Sequence, residues 1–209
     1  MGNVVVGLAV SVDGYIAGPE DGPTAPLGEG GAALFEWYTD GDTPSRHHPR
    51  FRMARQSAAV FDAIVDPVGA VVTGRRTYDI TGGWGGDSPV PGRPLFILTH
   101  HVPRPLPETT VPHTFVTDGV ASAIAQARAA AGDRDVSLAG AQAVQQAIRA
   151  GLLDELHLAV VPVLLGGGVR LFDHLGGPVR LEKIRVVDAP SVTHLSYRVR
   201  EDSRVRKDA

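Results

Sequence analysis

Two hydrophobic patterns alternate along most of the chain. One consists of short apolar runs rich in valine, leucine and isoleucine without helical spacing, and such runs predict strands buried on both faces. They lie at residues 4–12, 70–73, 94–99, 113–117, 135–139 and 156–165. In the other pattern apolar residues recur every three or four positions, which predicts helices. Those helices are expected from Phe51 to Val65, from 120 to 131 and from 141 to 150. The alternation predicts an α/β fold.

The C-terminal part of the chain follows a different pattern. Segments 181–187 and 192–199 both predict strands, and only the short connection 188–191 separates them. Two strands joined in this way predict an antiparallel hairpin. The whole pattern therefore predicts one mixed sheet of about eight strands with flanking helices. We expect a single domain over residues 1–200, followed by a charged C-terminal tail at 201–209.

Segment 18–49 is rich in glycine, proline and acidic residues, and it is too long for a simple connection. It predicts a lid or substrate loop, with one short helix at 32–38. That helix carries Glu36 and Trp37, which are candidates for substrate contact but would fit an ordinary surface helix equally well.

Composition and charge exclude several classes of protein. The formal net charge of −3 argues against nucleic acid as a partner, because phosphate-binding proteins carry a basic face. The chain has no cysteine, which removes disulfides and thiolate ligands. No run approaches the ~20 apolar residues of a membrane span, and the first apolar run lacks the basic start of a signal peptide. These features predict a cytoplasmic protein that contacts no membrane. The pairs His47-His48 and His100-His101 have no carboxylate at ligand spacing, so no metal site is expected.

Two predicted strands run directly into glycine-containing turns that open a helix. The first glycine turn is Gly74-Arg75-Arg76-Thr77, and the second covers residues 139–142. A glycine lets the backbone approach a ligand closely, and the N–H groups of a helix start favour an anion. The paired arginines add charge suited to phosphate. Neither a P-loop nor the G-x-G-x-x-G fingerprint is present. Two such turns in one sheet favour a ligand with several phosphates, such as a dinucleotide.

Four motifs carry a resemblance to a known family. They are SVDGYIAG at 11–18, VVTGRRTYD at 71–79, LAGAQAV at 138–144 and GLLDELHLAVVPVLLGGGVRLF at 151–172. In this order they resemble the reductase domain of bacterial riboflavin biosynthesis and its stand-alone relatives, which share the dihydrofolate-reductase-like fold. The resemblance covers nearly the whole chain. It implies NADPH as cofactor, hydride transfer to a small heterocyclic substrate with a C=N or C=O bond, and a homodimer.

The resemblance also implies roles for individual residues. The first glycine turn would bind phosphates, including the 2′-phosphate, with Thr99 and His100 near the adenosine. The second turn would hold the pyrophosphate, and Ala9 and Ile16 would border the nicotinamide. The implied cofactor residues are thus Ala9, Ile16, Gly74, Arg75, Arg76, Thr77, Thr99, His100, Ala139, Gly140, Ala141 and Gln142. Candidates on the substrate side are Asp13, Tyr15, Glu36 and Trp37, although Asp13 precedes Gly14 and fits a turn former better.

The chain departs from its relatives at four places. Ala139 replaces a glycine of the second motif, and Tyr15 stands where riboflavin-pathway reductases usually carry lysine. Dihydrofolate reductases place a carboxylate early in the helix after the lid, but residues 46–56 contain none, and their threonine on the following long strand corresponds to Ala159. Folate reduction is therefore not expected. Two alternatives remain open at this point. One is an NADP(H)-binding module without catalysis, and the other is a specialised reductase for a sugar-like or pterin-like intermediate.

Overall fold

The structure is a computed structural model that describes residues 1–200, so the predicted tail at 201–209 lies outside the described residues. The strands are β1 (Val4–Ser11), β2 (Tyr15–Ala17), β3 (Thr43–Pro44), β4 (Arg52–Met53), β5 (Val68–Gly74), β6 (Leu95–Leu98), β7 (His113–Val116), β8 (Asp135–Ala139), β9 (Glu155–Val161), β10 (Val169–Arg170), β11 (Leu181–Ala189) and β12 (Val192–Val199). The helices are α1 (Arg55–Val65), α2 (Arg75–Ile80), α3 (Val120–Ala131) and α4 (Ala141–Arg149), with 3₁₀ turns at Gly31–Tyr38 and Gly82–Gly86. Among residues 1–200, no helix combines the length and the apolar character that crossing a membrane requires.

Eight of the strands form one mixed sheet, as the sequence predicts. Its order is β11-β12-β9-β1-β8-β5-β6-β7. The six strands from β9 to β7 are parallel, whereas β12 pairs antiparallel with β9 and β11 pairs antiparallel with β12. From β1 the chain continues through α1 to β5 on one side, and from β8 it continues through α4 to β9 on the other. The carboxyl ends of β1 and β8 therefore form a switch point, where open α/β sheets bind their ligands.

The two faces of the sheet are covered differently. Helices α3 and α4 pack on one face and complete the largest core cluster, which includes Val6 of β1 and Leu138 of β8. The opposite face is covered by α1 and the first 3₁₀ turn at one end, and by α2 and the second 3₁₀ turn at the other. Two separate apolar clusters result on this face. The space between them is the site described below.

The boundaries of several elements differ from the sequence pattern for local reasons. Helix α1 begins at Arg55 and not at Phe51, because the preceding residues form β4, which pairs with β3. Strand β9 ends at Val161, where Pro162 follows and cannot donate a ladder hydrogen bond. The hairpin between β11 and β12 has a loop of two residues, Pro190 and Ser191, which is shorter than predicted. The two 3₁₀ turns and the short strands β2 and β10 lack a distinct sequence pattern, apart from the helix predicted at 32–38.

The Gly166–Gly168 run packs against the end of β2, where the lid segment 18–49 begins. Gly168 has a φ of 117°, and a Cβ there would overlap the carbonyl oxygen of Ala17. Only glycine allows this close approach between β2 and the Gly166–Gly168 run. The run is therefore a turn that packs against the start of the lid segment.

Candidate functional site

The two predicted glycine turns lie side by side at the carboxyl edge of the sheet. They meet because β5 and β8 are neighbours, with Thr73 paired to Ala139. The Thr73 hydroxyl donates a hydrogen bond of 3.1 Å to the Ala139 carbonyl. Gly140 has a φ of 86°, and a Cβ at this position would overlap the Oγ1 of Thr77. The two turns thus form one continuous surface, with Gly140 as its tightest point.

The arginines of the first turn are both paired with carboxylates. The Nε of Arg75 donates to both oxygens of Asp79, at 2.7 and 2.9 Å, one helical turn later. The Nη2 of Arg76 donates to the side chain and the carbonyl of Asp21, at 2.6 and 2.9 Å. Asp21 belongs to the lid segment, so this pair ties the lid to the first turn. Helix α2 has only six residues, so its dipole is small. The positive charge at this turn therefore comes mainly from the guanidinium groups of Arg75 and Arg76.

The remaining predicted edge residues lie at the carboxyl ends of their strands. Thr99 follows β6, and its hydroxyl donates a 2.8 Å hydrogen bond to the His101 carbonyl, while His100 is exposed. Ala141 is buried at the start of α4, and Gln142 is exposed beside it. The structure therefore brings residues 74–77, 99–100 and 139–142 to one edge.

A cavity of about 330 Å³ lies on the face of the sheet that α1 covers. Its floor consists of side chains that point to this face from four adjacent strands, and several of them are small. The floor residues are Gly7 of β1, Ser137 and Ala139 of β8, His157 and Ala159 of β9, and His194 and Ser196 of β12. Aromatic side chains form most of the walls, namely Phe35, Trp37, Tyr38, Phe51, Phe61 and Trp84. The cavity reaches the edge at Ala139, which also begins the second glycine turn.

Two histidines carry the titratable groups of the floor. His194 is buried, and its Nε2 lies 2.9 Å from the Ser57 hydroxyl, on the first turn of α1. His157 lies on the neighbouring strand, with its Nδ1 2.9 Å from the Ser196 hydroxyl. Burial lowers the pKa of His194 to about 4 and also lowers the pKa of His157. Both imidazoles are therefore neutral at neutral pH.

Only one of the four predicted substrate-side residues lines the cavity. Trp37 is buried in its wall, whereas Glu36 is exposed on the outer side of the same 3₁₀ turn. The ring of Tyr15 is buried beneath the guanidinium of Arg170, at 4.7 Å, and Tyr15 is not among the lining residues. Of the two residues expected beside the nicotinamide, Ala9 is buried in the cluster under α1 and Ile16 packs against the cluster on the opposite face.

Asp13 holds the loop that follows β9. Its carboxylate accepts hydrogen bonds from the backbone N–H groups of Leu165 at 3.1 Å and Gly166 at 2.7 Å, and from the Ser11 hydroxyl at 2.6 Å. The bond from Ser11 is the main reason that the pKa of Asp13 is lowered, and the two backbone donors act in the same direction. Asp13 thus ties the loop after β9 to the end of β1, in addition to its predicted role in a turn.

Sequence reasoning missed the histidines of the floor and their serine partners. The alternation of β12 places His194 and Ser196 on one face, which was visible in the sequence, but nothing showed that this face borders a cavity. Ser57 occupies the inward side of the first turn of α1. The N-terminal helical turn of α1, like residues 46–56, contains no carboxylate.

Comparison with solved structures supports the fold. A protein of Shewanella sp. PV-4 whose name assigns it to riboflavin biosynthesis is 24% identical, with a TM-score of 0.69 over 96% of this chain and 100% of that chain. A pyrimidine reductase-like protein of Corynebacterium diphtheriae is 14% identical, with a TM-score of 0.60 over 96% and 93%. Dihydrofolate reductase of Enterococcus faecalis, solved with NADP(H), is 13% identical, with a TM-score of 0.55 over 96% and 98%. At these identities the likeness establishes the fold alone.

A search of curated protein sequences found no match. The family model described as the RibD C-terminal domain matches residues 3–195. This match covers seven strands of the main sheet and the first half of β12, together with both glycine turns and every cavity-lining residue except Ser196. The chain therefore belongs to the RibD C-terminal domain family and has the dihydrofolate-reductase-like fold.

Proposed function

We propose that this protein is an NADPH-dependent reductase that transfers hydride to a C=N or C=O bond of a small heterocyclic substrate. The observation that carries the proposal is the position of Ala139. This residue belongs both to the floor of the cavity and to the second glycine turn, so a dinucleotide on the turns would place its reactive end beside a molecule in the cavity. Membership of the RibD C-terminal domain family supports an oxidoreductase.

The residues at the edge fit a phosphate-bearing cofactor. At Gly74 no atom lies within 4 Å of a Cβ position, so the first turn is open to a ligand. Gly140 immediately precedes α4, a helix of nine residues whose first N–H groups favour an anion. Arg75 and Arg76 would hold phosphate through N–H groups that their carboxylate partners leave unused. The solved dihydrofolate reductase of E. faecalis, which has this fold, contains NADP(H).

When bound, NADPH would supply a hydride to the carbon of the C=N or C=O bond, and the heteroatom would take a proton from a single water molecule or from a group of the substrate. The chain itself binds and orients the two reactants and keeps bulk water from the reacting atoms. The aromatic walls would hold a planar ring against the floor. The Arg76–Asp21 pair would keep the lid segment close to the first turn.

The proposal is tested by titrating the protein with NADPH and NADH. Trp37 and Trp84 both line the cavity, so their emission should be quenched by a nicotinamide that enters it. We expect saturable quenching with tighter binding of NADPH. If neither nucleotide binds, the reductase assignment is wrong.

Replacing Arg75 with alanine should weaken the binding of NADPH by about tenfold and leave the binding of NADH nearly unchanged. The reason is the loss of a charge-assisted hydrogen bond to the 2′-phosphate, which NADH lacks. The measurement is the dissociation constant of each nucleotide from the same fluorescence titration. Arg55→Ala is the matched control, because Arg55 is exposed at the start of α1 and away from the edge. Equal weakening of both nucleotides would remove the proposed role of Arg75.

An NADP(H)-binding module without catalysis is the second candidate. It is favoured by the cavity lining, which contains no aspartate, glutamate, lysine or arginine. The two candidates differ in turnover. Consumption of NADPH with any member of a panel of heterocyclic imines and carbonyls would establish the reductase, and binding without turnover across the panel would favour the module.

We also propose that the protein is a homodimer that pairs through β11. This strand is the outer edge of the sheet, and it exposes Ile184 and Val186 by 40% and 50%. Apolar side chains on an exposed edge strand are typical of a surface that another chain covers.

Val186→Lys should convert a dimer to a monomer of 22.0 kDa, because a charge would be buried at the paired edge. Light scattering coupled to size-exclusion chromatography gives the mass. Val102→Lys serves as the control, since Val102 is also exposed, by 45%, but lies in a loop. A monomeric parent protein, or a variant that stays dimeric, would contradict the β11 interface.

A further inference from the structure

The first part of the lid segment, residues 18–29, forms a compact loop, the strap. Its two ends are tied to each other by backbone hydrogen bonds. The N–H of Gly18 donates to the Leu27 carbonyl, and the N–H of Glu29 donates to the Pro19 carbonyl, both at 2.8 Å. Loops whose ends are closed in this way are compact units of their own. The strap can therefore move as one body.

The strap is attached to the body of the protein at its base and near its tip. At the base, Gly168 packs against Ala17 and Gly18. Near the tip, the Nη2 of Arg76 donates to the carboxylate and the carbonyl of Asp21, at 2.6 and 2.9 Å. Within residues 1–200, Arg76 is the one side chain that hydrogen-bonds to the strap. The Asp21 side chain is 11% exposed, so its charge depends on Arg76 for compensation, and this ion pair is the latch of the strap.

The latch holds the strap across the second glycine turn. The base of the strap follows β1 and β2, whereas Arg76 follows β5. Strand β8 lies between β1 and β5 in the sheet, and Gly140 stands at its carboxyl end. Strands are spaced by about 4.8 Å, so the strap spans roughly 10 Å over the end of β8. None of residues 18–29 lines the cavity, so the strap covers the edge proposed for the cofactor.

We infer that Asp21 is a positioning residue, which acts through Arg76 to close the strap over the phosphates of the bound dinucleotide, and that opening of this latch limits both entry and release. The inference rests on the proposed function for the identity of the dinucleotide. Arg76 bonds to Asp21 through Nη2 alone, so its Nε and Nη1 hydrogens remain for a phosphate while the latch is closed. A pyrophosphate on the second turn would lie beneath the strap, and the ion pair has to separate before the nucleotide can pass.

The rate of nucleotide dissociation separates a latch from a simple effect of charge. Asp21 places a negative charge near the proposed phosphates. If only this charge mattered, its removal would strengthen the attraction of the site for phosphate and slow dissociation. Loss of a latch has the opposite effect on release, because the strap no longer has to be opened. A latch therefore predicts that association and dissociation both become faster.

The test is stopped-flow fluorescence with NADPH, on the parent protein and on Asp21→Ala. Association is followed on mixing, and dissociation is followed when excess NADP⁺ displaces the bound NADPH. We expect Asp21→Ala to raise both rate constants by roughly threefold to tenfold, since ion pairs of this kind shift an equilibrium by about that factor. The dissociation constant, which is the ratio of the two, should change little. Dissociation that is unchanged or slower in Asp21→Ala would overturn the inference.

Two further variants complete the comparison. Asp79→Ala is the matched control, because Asp79 is the carboxylate partner of Arg75 in the same turn but does not bond to the strap. Its removal changes the charge near the phosphates without touching the latch, so dissociation should be unchanged or slower. Asp21→Asn loses the charge but keeps an oxygen that can accept from Arg76, and its dissociation rate should lie between those of the parent and Asp21→Ala. Equal acceleration in Asp79→Ala would contradict the latch.

A spin label on the strap tests the latch without the nucleotide. The chain has no cysteine, so Thr24→Cys, at an exposed position of the tip, gives a single labelling site. We expect the label to be more mobile when Asp21→Ala is added, and less mobile in the parent at saturating NADPH. Absence of NADPH binding to the parent would overturn the proposed function and with it the gating of a cofactor. NADPH binding with label mobility and rates unaltered by Asp21→Ala would overturn the latch alone.

Discussion

Gly140→Ala is expected to destabilise the protein by about 3 kcal/mol and to abolish measurable NADPH binding. Two costs combine at this position. The φ of 86° is strained for any residue with a Cβ, which costs about 1 kcal/mol. The added methyl group would also overlap the hydroxyl of Thr77 across the two turns, and overpacking of this kind costs about 1–3 kcal/mol. To relieve the overlap the turns must separate, which destroys the surface that would hold the cofactor.

Urea denaturation measures the free energy of unfolding, and the fluorescence titration measures the affinity for NADPH. Gly74→Ala is the matched control, because Gly74 has a φ of −84° and no neighbour within 4 Å of its Cβ position. It should leave the stability close to that of the parent protein. Adding Thr77→Ala to Gly140→Ala should recover part of the lost stability, since the overlapping hydroxyl is gone. Equal stability of the two glycine variants would show that the turns are not in close contact.

The stability should also fall by about 3 kcal/mol as the pH is lowered from 6.5 to about 4, because of His194 alone. Burial lowers the pKa of His194 from 6.5 in the unfolded chain to about 4 in the folded protein. Between these values the unfolded state binds a proton that the folded state does not, so unfolding becomes more favourable as the pH falls. The interval corresponds to about 3 kcal/mol at roughly 1.4 kcal/mol per pH unit. This contribution is fully present above pH 6.5 and lost below about 4.

The measurement is the free energy of unfolding at a series of pH values, for the parent protein and for His194→Gln. Glutamine retains a polar group near Ser57 but does not titrate, so the variant should lose most of the slope between pH 6.5 and 4. His157 contributes in the same direction, which leaves a smaller slope in the variant. The pKa values of Asp13 and Asp66 are lowered, so the stability that these carboxylates contribute is lost mostly below about pH 4. An identical slope in both proteins would mean that His194 is accessible to protons in the folded state.

The sequence predicted the elements of the sheet and the positions of the two turns because both depend on local properties. Runs such as 135–139 alternate with helical segments whatever their partners, and Gly140 is required by its own φ. The family motifs placed these elements in the right order. Local patterns failed where pairing decided the structure, as at the start of α1, where Arg52 and Met53 are drawn into β4 by Thr43 and Pro44.

The candidate site also combines residues that local sequence predicted with residues that only the packing of distant segments brings together. The residues of the edge were foreseen, since strands that run parallel bring their carboxyl ends together. The residues of the cavity were not foreseen, apart from Trp37 and Ala139, because their side chains come from four strands, the lid segment and α1. Nothing near Ser57 in the sequence indicates His194, 137 positions later, as its partner. In the same way, the hydrogen bond from Arg76 to Asp21 joins residues 55 positions apart, and the bond from Gly166 to Asp13 joins residues 153 positions apart.

The α/β class, the order of the elements, the two glycine turns and the family can all be inferred from the amino-acid sequence. Each of these follows from residue spacing or from a motif within a short stretch of chain. The link that Ala139 makes between the second turn and the cavity, and the burial of His194 as a neutral imidazole, depend on the tertiary structure. The physical reason is that burial and hydrogen bonding are set by the distance between residues in space, and that distance depends on the order of strands in the sheet, which local patterns do not determine.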